Sequence, residues 1–166
     1  MKVSSLEAIF RALQEAESRY LVVGGLAVIA HGYVRLTTDL DLVLDLRSEA
    51  LSKTLHALGA LGYHPIIPVP LSDFANADLR QDWIENRNMK VFQLVSDRFP
   101  DVSIDIFPKA PFPFEAEYAA AVLKDIAPKV GARVVSVAAL IRLKREADRE
   151  RDRIDIDKLL KLHPKS

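Results

Sequence analysis

Two adjacent glycines, Gly24 and Gly25, interrupt an apolar stretch that runs from Tyr20 to Ala30. A glycine pair in the middle of a strand forfeits side-chain packing, and the residues that follow it, Leu26, Ala27, Ile29 and Ala30, fit a buried helix. The stretch therefore predicts strand, glycine turn, helix. Two glycines at such a turn let the backbone approach a ligand closely, and the helix beyond them aims free N–H groups and its positive dipole end at an anion. A phosphate cradle is the expected use.

The segment from Asp39 to Asp45 alternates, with Leu40, Leu42 and Leu44 on one face of a strand and Asp39 and Asp41 together on the other. Carboxylates at i and i+2 project side by side, and a divalent cation between them relieves their repulsion. Mg²⁺ is the natural occupant, with Mn²⁺ as the alternative, because Mg²⁺ keeps several waters and bridges protein carboxylates to substrate phosphates. Two further strands are expected over Met89–Val95 and Val102–Phe107, paired across the intervening turn. The second points Val102, Ile104 and Ile106 inward. If it adjoins the Asp39 strand, Asp105 on its opposite face becomes a third carboxylate, and the three acids could hold one or two metals.

Leu6, Ile9, Phe10 and Leu13 mark an amphipathic helix from about Ser5 to Ser18, and a second helix over Glu49–Leu58 has Ser48 as its expected N-cap. Pro65, Pro68 and Pro70 exclude a helix or central strand there and predict an extended loop or edge segment bordering a pocket. A short helix near Glu115–Leu123, an extended piece near Arg133–Ser136 and two terminal helices follow, the first capped by Ser136. The expected architecture is α/β (α+β), a small mixed β-sheet flanked by helices, within one domain over 1–166. Its core spans about residues 18–110 and its C-terminal helical part about 115–163.

Lys144 falls on the buried stripe of Val137, Leu140, Ile141 and Ala147, where it needs an anion unless it snorkels to water. Arg145 to Lys161 reads as a solvated helix face laced with weak ion pairs, while Arg142, Lys144, Arg145, Arg149, Arg151 and Arg153 could line an electropositive groove. His31, the one histidine near the glycine turn, reads as a structural or substrate-contacting residue rather than a general base.

Composition narrows the classes further. With 166 residues, 23 Lys+Arg against 23 Asp+Glu and no cysteine, the chain is no disordered polyelectrolyte, disulfide scaffold, thiolate zinc site or cysteine enzyme. Walker, Rossmann and nucleophile-elbow patterns are missing, so P-loop kinases and hydrolase triads drop out. The N-terminus has no uninterrupted apolar run, so no signal peptide, transmembrane span or membrane partner is expected, and the cytoplasm is the default location.

The run Gly24-Gly25-x-Ala27, His31-Gly32-x-x-Arg35-x-Thr37-x-Asp39-x-Asp41 resembles the signature of the DNA polymerase β-like nucleotidyltransferase superfamily. Within it, the likeness is to the minimal nucleotidyltransferases and the abortive-infection (AbiE-type) toxin relatives. Asp105 matches the family's third carboxylate. Leu140-Ile141-Arg142-Leu143-Lys144 and Arg149-Glu150-Arg151-Asp152-Arg153-Ile154-Asp155 resemble its lysine helix and Arg-x-Lys-Asp-x-x-Asp tail. Asp148 stands where a glycine is usual, and the loop from Pro65 to Trp83 has no counterpart, which leaves substrate choice open. The resemblance implies transfer of a nucleoside monophosphate from an NTP to an acceptor hydroxyl. Asp39 and Asp41 would hold Mg²⁺ against the triphosphate, and Gly24, Gly25 and Thr37 would contact the nucleotide's phosphates. Asp105 would complete the metal site and help deprotonate the acceptor, while Arg35 and Lys144 would neutralise phosphate charge. The acceptor could be tRNA, a protein hydroxyl or a small molecule, and a toxin-type enzyme would have a cognate antitoxin. The rival readings are a non-catalytic nucleotide- or protein-binding module of the same fold and a metal-dependent phosphohydrolase.

Overall fold

The computed structural model describes residues 1–128 and 130–164. Helix α1 (Val3–Glu15) leads into strand β1 (Tyr20–Val22), helix α2 (Gly24–Ala30), strand β2 (Asp39–Leu44) and helix α3 (Ser48–Ala60). An edge strand β3 (His64–Pro65), a 3₁₀ turn (Leu71–Ala75), helix α4 (Ala77–Arg87) and strands β4 (Phe92–Val95) and β5 (Ser103–Ile106) follow. Helix α5 (Phe114–Ala120), strands β6 (Val122–Ala127) and β7 (Val130–Val134) and helices α6 (Val137–Ala147) and α7 (Glu150–Leu162) complete the order.

The strands form one mixed sheet in the order β3-β4-β5-β2-β1-β7-β6. β2 runs parallel to β5 and β1 parallel to β7, while the other neighbours are antiparallel. Alternation sets the register: Leu40 and Leu42 of β2 and Ile104 and Ile106 of β5 are fully buried, so both strands send their intervening polar residues to the same opposite face. Helix α1 buries Leu6, Ile9, Phe10 and Leu13 against α3 and the β6–β7 side of the sheet. At the other end Phe92 stacks between Phe74 and Trp83, with ring centroids 4.6 and 5.5 Å away. No helix among the described residues is long and apolar enough to cross a membrane.

Three local expectations change. Helix α3 starts at Ser48 itself, with Arg47 in the N-cap position. The helix expected to reach Leu123 stops at Ala120, because Val122–Ala127 pairs antiparallel with β7. The segment from Pro65 to Trp83 is ordered around its own core: Asn76 caps α4 by accepting from the Asp78 and Leu79 amides at 2.9 and 3.2 Å, and Arg80 donates to the Phe74 carbonyl at 2.6 Å. Its 3₁₀ turn borders a cavity of about 410 Å³ against α3, lined by Leu71, Ser72 and Ala75 and by none of the three prolines. Ser136 caps α6 as expected, accepting from the Ala139 amide at 3.2 Å.

Because Phe74 is fully buried on Phe92, Phe74→Ala should cost about 3–5 kcal/mol, measured as a lower urea midpoint with an unchanged slope.

Candidate functional site

The parallel pairing of β2 with β5 puts Asp41 directly opposite Asp105 and Asp39 opposite Ser103. All three acids line one cleft of about 250 Å³, together with Gly24, Gly25, Arg35 and Thr37 from the first half of the chain. Lys144, Arg149, Arg151 and Asp152 close its other side. Every residue singled out in the sequence for metal or phosphate therefore lies in this cleft, whereas residues 65–83 do not line it.

The glycine pair has a use that the sequence did not suggest. Gly24 sits at φ +62°, and a Cβ there would lie 1.8 Å from Asp41 Oδ2. A Cβ on Gly25 would lie 2.5 Å from Thr37 Oγ1 and 2.8 Å from an Arg35 guanidinium nitrogen. Both glycines thus make room for the cleft's own side chains, and the Gly25 amide donates to Asp41. Helix α2 has only seven residues.

Each acid has a distinct setting. Asp39 Oδ1 accepts from Thr38 Oγ1 and Ser103 Oγ, both at 3.0 Å. Gln93 Nε2 donates to Asp105 Oδ1 at 3.0 Å. Burial first, then the Asp105 and Asp39 charges, push the Asp41 carboxyl up to about 6, against the opposing pull of the Gly25 amide and Lys144. Burial and the Asp39 charge also raise Asp105, although the Gln93 hydrogen bond opposes them. Among the described residues no three metal-ligating side chains already converge on one point. Their chemistry nonetheless suits a divalent cation: hard oxygen donors ranged along one wall, two of them holding protons more tightly because of burial and of neighbouring carboxylates.

Lys144 is buried at 4% exposure, and its anion comes from a segment read in the sequence as solvated. Its Nζ lies 3.0 Å from Asp152 Oδ1 and 2.7 Å from Asp155 Oδ2. Asp155 is fully buried, and its other oxygen sits 3.1 Å from Arg35 Nε. Arg149 Nε donates to Asp152 at 2.7 Å. Burial works against the Asp152 charge, yet hydrogen bonds from Arg149 and Lys144 hold its carboxyl below the usual carboxylate range. Asp148 takes the left-handed conformation at φ 45° between α6 and α7, the backbone state for which glycine is the usual choice.

Four of the six cations expected to line an electropositive groove are paired, while Arg145 and Arg151 are exposed and Arg151 lines the cleft. Arg142 pairs with Glu117, Lys144 with Asp152 and Asp155, Arg149 with Asp152, and Arg153 with Asp148. His31 is buried, its Nε2–H donating to the Val135 carbonyl at 2.8 Å, and burial lowers its basicity. With the His163 ring edge-on at 5.8 Å, it fastens the end of α2 to β7 and α7 and stays outside the cleft.

No family model matches the chain, and no curated protein matches it in sequence. Solved structures match its fold. The mixed sheet with its flanking helices is nucleotidyltransferase-like: the lincomycin-bound lincosamide antibiotic adenylyltransferase LnuA matches with a TM-score of 0.64 and 16% identity, over 96% of each chain. The antibiotic-resistance factor ANT(2'')-Ia, in complex with adenylyl-2''-tobramycin, matches with a TM-score of 0.57 and 18% identity, over 95% of this chain and 86% of that one. Its solution structure gives 0.62 and 16% identity, over 96% and 82%.

The Asp41 shift has a stability consequence. Its folded value exceeds its unfolded value, so the folded state holds a proton that the unfolded chain releases, and stability falls as pH rises from about 4 to about 6. In metal-free protein the Asp41 carboxyl carbon should titrate near 6 by NMR, and lower in Asp105→Asn. Asp41→Asn should raise the Tm at pH 8 by about 2–4 °C.

Proposed function

We propose that the chain transfers a nucleoside monophosphate from an NTP to an acceptor hydroxyl. The observation that carries this reading is the register that sets Asp41 against Asp105, beside Asp39 and a glycine pair with no room for a Cβ. The fold likeness to adenylyltransferases supports it. Asp39, Asp41 and Asp105 would hold Mg²⁺, or Mn²⁺ in its place. Bound there, the cation supplies neutralisation of the triphosphate and polarisation of the α-phosphate.

The remaining work falls to the chain. Thr37, Arg35 and Lys144 would face the phosphates beside the open backbone of Gly24 and Gly25, with Arg149 and Arg151 on the far wall. Asp105, whose affinity for a proton is raised, is the acceptor of the hydroxyl proton. As the acceptor oxygen bonds the α-phosphorus, the bond from that phosphorus to the bridging oxygen breaks and pyrophosphate leaves with the electron pair. A toxin-type role, and with it a cognate antitoxin, rests on the sequence resemblance alone and is no part of this proposal.

Asp39→Ala, Asp41→Ala and Asp105→Ala should each lower transfer by about 10³-fold or more, while circular dichroism stays unchanged. EDTA should abolish pyrophosphate release, and added Mg²⁺ or Mn²⁺ should restore it. Full activity in Asp105→Ala would remove the third acid from the mechanism. Gly24→Ala should fail as badly as Asp41→Ala, because the added methyl displaces that carboxylate.

A further inference from the structure

Residues 32–39, which join α2 to β2, alternate in exposure without a break. Gly32, Val34, Leu36 and Thr38 face solvent, while Tyr33, Arg35, Thr37 and Asp39 are half-buried, the last three in the wall of the cleft. Period two over such a length is the pattern of a strand, and from Tyr33 to Thr38 the chain makes no turn or bend. Yet no strand lies beside it. β2 begins at Asp39 opposite the first residue of β5, Ser103, and β1 ends at Val22 opposite Leu42. Among the described residues, 34–38 make no backbone–backbone hydrogen bond, and the Leu36 carbonyl takes only a side-chain bond from Arg35 at 2.9 Å.

Helix α7 supports one side of this run. Arg35 Nε lies 3.1 Å from Asp155, and a Cβ on Gly32 would lie 3.7 Å from Leu162. Three residues of extended chain, about 10 Å, thus run along seven residues of helix, about 10.5 Å. The other side is bare, with Val34 82% and Leu36 93% exposed. One exposed Leu needs no explanation, but two apolar side chains at alternate positions of an unpaired backbone form an edge onto which a second extended backbone adds. The outward residues are uncharged, so nothing on them attracts a nucleic acid. Nothing on them repels a second copy either, and the formal net charge of the whole chain is zero.

We propose that this edge is the interface between two copies of the chain, whose 34–38 segments pair antiparallel about a two-fold axis. Residues opposite each other in an antiparallel ladder share a face, so the axis passes through a residue position, and use of the whole free run places it at Leu36. Leu36 then meets Leu36 of the second copy, Val34 meets Thr38, and Arg35 meets Thr37 on the cleft side. An axis at Arg35 would instead set two guanidinium groups opposite each other. The ladder holds Arg35 and Thr37 in place in both copies, and so steadies one wall of each cleft. This inference stands whether or not the transferase reading does.

The test is self-association of the full chain. Sedimentation equilibrium from about 1 to about 100 µM should show association to twice the mass of one chain. Leu36→Asp and Leu36→Lys each set like charges at the axis and should each weaken that association about tenfold or more. Their circular dichroism should match the parent's, because the position is exposed. Mixed in equal amounts, the two variants should associate again, since opposite charges then meet. The chain has no cysteine, so Leu36→Cys under mild oxidation should link two copies through that one residue. A parent chain that stays monomeric overturns the inference. A dimer that survives both charged variants, a mixture of the two that stays monomeric, or a Leu36→Cys dimer that does not cross-link puts the contact elsewhere and overturns it equally.

Discussion

Bringing like charges together is unfavourable, and the pairing of β2 with β5 does so at the centre of the molecule, where Asp41 stands opposite Asp105 with Asp39 two residues away. The core fixes that arrangement. Leu40, Leu42, Ile104 and Ile106 are fully buried, and a slip of one residue would send all four to the wrong face. The hydrophobic burial of one face thus holds the carboxylates of the other in an arrangement that they oppose themselves. Gly24 completes the constraint, because Asp41 occupies the place where any side chain on Gly24 would begin.

A second electrostatic unit lies across the cleft. Asp155 joins Lys144 of α6 to Arg35 of the segment between α2 and β2, and Asp152 joins Lys144 to Arg149. Such a buried cluster is weak evidence of stability in itself, since desolvation offsets much of the attraction, but removing one partner strands the rest. It therefore fixes relative position: the C-terminal helices are tied to the same segment that delivers Thr37 and Asp39 to the cleft. His31 and His163 add a further tie, each donating to a backbone carbonyl at 2.8 Å.

What could be read from the sequence followed from short-range periodicity. Alternation in Asp39–Asp45 and Val102–Phe107 assigned the inward and outward residues, so the three acids were expected on one face, and the strand, turn and helix around Gly24 were expected in order. Features that depend on distant partners were not readable. Asp152 and Asp155 lie in a run of alternating charges that looks solvated, and only the approach of Lys144 and Arg35 makes their burial favourable. Helix α4 buries just Arg80 and Trp83, too few for an apolar stripe, and β6 has exposed Leu123 where an inward residue would have signalled a strand.

The chemistry at the α-phosphorus is the centre of this account, and the identity of the leaving group reports on it directly. The decisive measurement is ³¹P NMR of the protein with Mg²⁺, NTP and a protein-free cell extract. The account predicts pyrophosphate appearing in step with a new phosphodiester signal, and neither signal when Asp39 and Asp41 are both alanine. Orthophosphate with NDP would place the chemistry at the γ-phosphorus and contradict it.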